Sequence, residues 1–314
     1  MEKLLPVRLL PAFKDYLWGG TKLKESYNKK SDLDIVAESW ELSCHKDGQS
    51  VIAEGEFCGK TLSEYIDING FELLGTKARE FDYFPLLIKF IDAKNNLSIQ
   101  VHPNDEYALS VEGEYGKTEM WYILEADEGA YLYYGFNRSI TKDELEKRIR
   151  ENTILEVLNK VSVKKGDVFF IESGTVHAIC AGIVICEIQQ NSNTTYRVYD
   201  YDRRDKEGNP RQLHIEKAIE VSNLEKAPEI SEKAADGVLA ECKYFTVKKL
   251  EVNGKASELL DKTSFASVIV VDGSGKMSIG RKSFELKKGD SLFVPAQEAE
   301  LEFEGELEVI ISRV

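Results

Sequence analysis

Two histidines, a carboxylate and an amide in one region of the sequence are of the right types to hold a divalent metal. Gln100 and His102 stand two apart in Ser98-Ile99-Gln100-Val101-His102-Pro103-Asn104-Asp105. Glu119 follows in Lys117-Thr118-Glu119-Met120-Trp121, and His177 ends Glu172-Ser173-Gly174-Thr175-Val176-His177. Residues two apart on an extended chain share a face, so Gln100 and His102 project together as an oxygen and a nitrogen ligand. That donor set suits zinc or another first-row divalent ion. The same period places Lys117, Glu119 and Trp121 on one face, which predicts a carboxylate inside an aromatic-lined barrel. A buried carboxylate needs a partner. A metal supplies one, and an ion pair with Lys117 supplies another without any metal. His45, in a polar turn, and His214, at a helix start, have no such company.

A second group lies downstream. Glu187 and Gln189 face the same way on a strand, and Arg197 and Arg203 follow among tyrosines and aspartates in Tyr196-Arg197-Val198-Tyr199-Asp200-Tyr201-Asp202-Arg203-Arg204. A guanidinium fork can grip phosphate oxygens at two points. A solvated, salt-bridged loop has the same composition, and composition alone leaves the two readings open.

Short strands and turns must position these residues. Strand-forming runs are expected at 84–91, 97–102, 118–124, 130–135, 168–171, 177–180 and 183–186, with Pro103-Asn104-Asp105 stopping the second of them. Two capping-box patterns, Thr61-Leu62-Ser63-Glu64 and Thr141-Lys142-Asp143-Glu144, predict helical insertions at about 61–75 and 139–158. A last helix is expected at about 213–222, before a polar linker at 225–237. Beyond it, strands are expected at 239–251, 264–271, 276–286, 291–294 and 300–313. Trp18 and Trp40 read as core residues or as substrate contacts. Lys164-Lys165-Gly166-Asp167-Val168-Phe169-Phe170-Ile171 recurs as Lys287-Lys288-Gly289-Asp290-Ser291-Leu292-Phe293-Val294. Carried forward without gaps, this repeat sets Glu300 opposite His177, so only the first copy keeps its ligand. Many short strands and glycine turns predict jelly-roll barrels. The expected division is a first domain at 1–235 carrying the helical insertions and a second, degenerate one at 236–314 without metal ligands.

Composition narrows the class. With 314 residues and 42% hydrophobic content the chain can build about two cores. Its net charge of −14 argues against a nucleic-acid surface, which needs a basic face. An anionic substrate would need a local basic pocket. Five cysteines without paired spacing, no signal-peptide pattern and no apolar run near the ~18 residues of a membrane span predict a reduced, cytoplasmic protein.

Phe84-Pro85-Leu86-Leu87-Ile88-Lys89-Phe90-Ile91-Asp92-Ala93, the Gln-Val-His-Pro stretch, Lys117-Thr118-Glu119 and Gly174-Thr175-Val176-His177-Ala178 resemble type I mannose-6-phosphate isomerases. The likeness runs from Trp18-Gly19-Gly20 to Tyr201, about two thirds of the chain, and has the look of the short bacterial form. It implies a double cupin, one zinc ion per chain held by His102, Glu119 and His177, and Gln100 at the position of a fourth ligand. It implies Arg197 as the catalytic arginine, and Lys117, Glu187 and Arg203 as substrate-binding residues. Arg203 stands where longer members carry lysine, and Ile179 where the fungal pattern has tyrosine. The implied reaction interconverts mannose 6-phosphate and fructose 6-phosphate through a cis-enediol. The ligand types also fit an Fe(II) cupin dioxygenase, and a non-catalytic sugar-binding cupin is a further alternative.

Overall fold

The computed structural model describes residues 4–204, 207–228 and 237–314, so part of the expected 225–237 linker lies outside the described residues. The fold is mainly β. Two antiparallel sheets face each other in the first half. One has six strands, in the order Val168–Ile171, Glu119–Ala126, Ile183–Gln190, Leu86–Ala93, Glu38–Leu42 and Ala12–Lys14. The other has five: Leu158–Ser162, Tyr131–Phe136, His177–Ile179, Ile99–Val101 and Tyr196–Tyr199. Ile91, Trp121, Ile123, Leu132, Phe169 and Ile179 fill the space between them.

The six-stranded sheet is covered on its other face too, where Ile88, Phe90, Met120 and Tyr122 pack with Phe245, Phe265 and Phe293 of the second half. Every residue of Leu86–Ala93 is therefore buried. This explains a near-continuous apolar run instead of the alternation of a strand with one wet face. Full burial of each large apolar side chain contributes about 1.5–3 kcal/mol, enough for the strand to carry the buried Lys89 and Asp92 as well.

Both capping boxes start helices. Thr61 and Glu64 cap each other's backbone at Leu62–Asn69. Thr141 accepts from the Glu144 amide at Lys142–Arg150, but the Glu144 carboxylate turns to Arg138 and Arg148 instead of closing the box. The second insertion is a shorter helix than 139–158, because Asn152 takes a left-handed backbone (φ 57°) and only a 3-10 turn, Ile154–Glu156, follows. Leu145 and Ile149 seal the outer face of the five-stranded sheet. The last helix is Ile215–Val221.

An eight-stranded sheet organises the second half around Val268, Val270, Met277, Phe303 and Val309. It takes in Val7–Leu10, which pairs with Ser291–Val294, so the first strand of the chain is stitched to the last unit. The repeated Lys-Lys-Gly-Asp turns match bond for bond. Asp167 accepts from Lys164 N at 2.9 Å and Asp290 from Lys287 N at 3.0 Å, while Gly166 N and Gly289 N each donate at 2.8 Å, to Ile123 O and Val270 O. Where the sequence predicts a break at 272–275, one strand runs through Ala266–Ile279. Gly273 and Gly275 lie so close to Glu306 and Glu304 that a Cβ would come within 2.0 and 2.3 Å of their carbonyls.

Candidate metal centre and adjoining cavity

Both sheets contribute to one cluster. His177 faces Gln100 on the neighbouring strand, His102 follows just beyond that strand, and Glu119 opens a strand of the opposite sheet. Ligand atoms of His102, Glu119 and His177 lie within 4.8 Å of one another, the one such grouping of His, Cys, Asp or Glu among the described residues. His177 Nε2 is 3.4 Å from Glu119 Oε1, and His102 Nε2 is 3.7 Å from Oε2. The Gln100 amide lies 3.5 Å from His177 Nε2.

The tautomers follow from the partners. His102 Nδ1 bonds Thr194 O at 2.9 Å and His177 Nδ1 bonds Thr175 O at 2.8 Å. A carbonyl only accepts, so each Nδ1 carries the proton and each Nε2 keeps a lone pair aimed at the cluster. Burial, helped by the Lys117 charge, lowers His177 to about 4 and His102 well below its ordinary value, so both are neutral imidazoles. Burial and the charge of Glu187 push the Glu119 carboxyl up, against the pull of Lys117. Glu119 Oε1 is buried with no hydrogen-bond partner. Two lone pairs and an orphaned carboxylate oxygen turned on one point repel unless a cation joins them, and the set fits a divalent metal. The Lys117–Glu119 pair is also present: Nζ sits 2.5 Å from Oε2 and 3.1 Å from His102 Nε2. It engages Oε2 and leaves Oε1.

Beside the cluster, Trp40, Lys89, Glu187 and Trp121 stand in register across four strands. Lys89 Nζ is 3.7 Å from both Glu38 Oε2 and Glu187 Oε1 and lies 5.0 Å over the Trp40 ring. Trp121 donates to Glu187 at 3.2 Å and Trp40 to Glu38 at 2.7 Å. Burial alone would lower Lys89, yet Glu38 and Glu187 hold it above its ordinary value. Burial alone would raise Glu187, yet Lys117 and Lys89 hold it below. Glu187 is thus a buried anion between two ammonium groups.

Glu38, Lys89 and Glu187 border a cavity of about 260 Å³. Its wall carries four basic side chains (Lys89, Lys117, Arg197, Arg211) against two acidic ones (Glu38, Glu187), the local reverse of the −14 carried by the whole chain. Trp18, Leu97 and Ile179 form its apolar side. Trp18 is thus both buried core and cavity wall, whereas Trp40 is buried behind Lys89. Arg197 lies across from Gln100 in the next strand, held by Ser98 Oγ at 3.2 Å and Gln212 O at 2.9 Å. Arg203 is turned elsewhere: its guanidinium bonds Asp200 and the Asn96 carbonyl and rests over Tyr201. Arg211 reaches the wall in its place. Sequence reasoning missed Lys89, Glu38, Arg211 and Tyr16 in that lining. Lys89 had a signal, a lone charge inside an apolar strand; the others had none. His45 packs on Trp40 near Glu114, and His214 accepts from the Arg197 amide; neither joins the cluster.

Residues 7–135 match the family model described as phosphomannose isomerase type I, catalytic domain, and residues 236–314 the one described as mannose-6-phosphate isomerase, cupin domain. The chain is 43% identical to mannose-6-phosphate isomerase ManA of Bacillus subtilis, over 98% of this chain and 99% of that one. The chain belongs to the type I mannose-6-phosphate isomerase family. A mannose-6-phosphate isomerase of Streptococcus mutans is 39% identical, over 94% of each chain. A crystal structure of the mannose 6-phosphate isomerase from Bacillus subtilis superposes with a TM-score of 0.89 at 37% identity, over 99% of this chain and all of that one. In this family member His177, Glu187, Arg197 and Arg211 fall between the two matched stretches, so their place in the site rests on the geometry above.

Proposed function

We propose that the chain interconverts mannose 6-phosphate and fructose 6-phosphate by moving a proton between C1 and C2 through a cis-enediol, with one zinc ion held by His102, Glu119 and His177 and Gln100 as the fourth ligand. The supporting observation is that Lys117, which contacts both Glu119 and His102, and Gln100, which contacts His177, both border the basic cavity, so the ligand cluster adjoins a space suited to an anionic sugar. Bound zinc would supply a redox-inactive Lewis acid beside the sugar carbonyl. Glu187, an anion buried with Trp121 and two lysines, takes the proton from one carbon and returns it to the other. Lys117 and Arg197 donate to sugar oxygens as negative charge grows on them. Trp18, Leu97 and Ile179 keep water from the exposed carbanion face. Ile179 itself offers no phenol for this step.

The division into a catalytic unit, 1–235, and a metal-free second cupin, 236–314, belongs to the same proposal; the sequence has no histidine beyond His214. So does a cytoplasmic location, supported by five free cysteines. No helix among the described residues is long and apolar enough to cross a membrane. A coupled assay of mannose 6-phosphate turnover before and after chelation, with zinc added back, tests the proposal. Turnover untouched by complete metal removal, or oxygen uptake in its place, would overturn it.

A further inference from the structure

A cluster that reaches the cavity wall through Arg197 and Arg211 is used by neither the ligand set nor the proton step. Asp200, with a side chain only 5% exposed, is gripped by Arg211, whose Nε donates to Oδ2 at 2.7 Å and whose Nη2 donates to Oδ1. Arg203 donates to the same Oδ1. Arg197 lies close enough for the charges of Arg211 and Arg203 to act on it. Three guanidiniums around one carboxylate leave a local charge of +2 (3 − 1) in an acidic protein. Like charges gathered in a partly dry site call for an anion.

The three arginines differ in what they have left. Arg203 uses all three nitrogens, on the Asp200 backbone and side chain and on Asn96 O. Arg197 is tied to Ser98 and Gln212 and stands across from Gln100, at the ligand end. Arg211 lines the cavity, and among the described residues its Nη1 has no intramolecular acceptor. A hexose phosphate with C1 and C2 at the metal end carries its phosphate on C6, at the far end of the sugar. On the proposed function, we infer that Arg211 is the residue that selects for the phosphate, donating from Nη1, and that Asp200 is the positioning residue that presents it.

Steady-state kinetics of Arg211→Ala, Arg211→Lys and Asp200→Asn on mannose 6-phosphate, with inorganic phosphate as competitive inhibitor, test this. Removing a hydrogen bond to a charged group predicts that Arg211→Ala raises KM and the phosphate inhibition constant together, by about 10- to 100-fold, with kcat nearly unchanged. Arg211→Lys recovers part of that loss, because charge without the fork gives part of the contact. Asp200→Asn shifts both constants in the same direction with Arg211 still in place. The Arg211 side chain is 27% exposed and Arg203 stays on Asp200, so the two Arg211 variants should melt near the wild type. A KM and phosphate constant for Arg211→Ala within twofold of a fully active wild type would overturn the inference, as would a loss confined to kcat. A wild type inert on mannose 6-phosphate overturns the function itself, a result separate from either of these.

Discussion

Replacing Arg197 by lysine keeps the charge and removes the geometry, so it isolates what the guanidinium does. Two of its nitrogens are fixed, Nε on Ser98 Oγ at 3.2 Å and Nη1 on Gln212 O at 2.9 Å, and the third remains for the cavity. A lysine cannot hold both anchors and also reach inward. Moving a unit charge from about 4 to 6 Å from a growing oxyanion, at an effective dielectric of about 20, costs roughly 1.4 kcal/mol. Losing the aligned donor adds about 1–2 kcal/mol. The sum is roughly 2.5–3.5 kcal/mol, about a hundredfold in rate. Because the charge develops only as the reaction proceeds, the loss should fall on kcat with little change in KM. The coupled isomerase assay, run over a full range of mannose 6-phosphate, reads both constants. A normal kcat with a raised KM would refute the reasoning and make Arg197 a second phosphate ligand beside Arg211.

Three other substitutions probe the rest of the molecule. His177→Ala should abolish bound metal and turnover together while the far-ultraviolet circular dichroism stays that of a folded β protein; a purified variant with full zinc and normal rate would remove His177 from the ligand set. Lys29→Met should cost about 3–5 kcal/mol in urea unfolding, because it strands the fully buried Glu41 that Lys29 contacts at 2.7 Å. A loss below about 1 kcal/mol would mean that water or another cation reaches Glu41. Gly289→Ala should destabilise by at least about 2 kcal/mol, since the new Cβ would meet Tyr27 O at 2.0 Å on a backbone with φ of +91°. An unchanged melting temperature would show that the turn and residue 27 move apart freely.

What the sequence disclosed and what it hid follow one rule: local patterns were legible and long-range registers were not. The period of two put Lys117 with Glu119, and the structure has them 2.5 Å apart. Thr61 and Glu64 announced a helix because a cap is made within four residues. The repeated turn was visible because each Lys-Lys-Gly-Asp closes its own hydrogen bonds. The Trp40–Lys89–Glu187–Trp121 row, by contrast, exists only once four strands have paired, and no spacing within one strand reports it. The arginines show the limit most plainly. Arg203 and Arg211 carry the same side chain on the same segment. Tyr201 and Asp202 both take left-handed backbones, with φ of 57° and 53°, and the chain turns there. Arg203 then folds back on Asp200, leaving Arg211 to reach the wall. Two successive non-glycine residues in that region cost about 1–2 kcal/mol each, a strain that residue order alone gives no reason to expect.

The unit without candidate ligands still has a physical part in the chemistry proposed. Lys89 and Glu187 lie on strands whose opposite face would meet water if the first barrel stood alone. Phe245, Phe265 and Phe293 cover that face, so both sides of the sheet are dry. In a dry sheet the attraction between Glu187 and its two lysines is many times its value in water. Those lysines hold Glu187 anionic against the cost of burial, and an ionised carboxylate is what abstraction of a carbon-bound proton requires. Tyr65 and Phe293 pack edge-on at 6.2 Å, and Lys29 reaches Gly289 O at 2.5 Å, so the cover is fastened by the first unit's own residues. A substitution that loosens this seam should therefore weaken turnover without touching a single residue of the cavity.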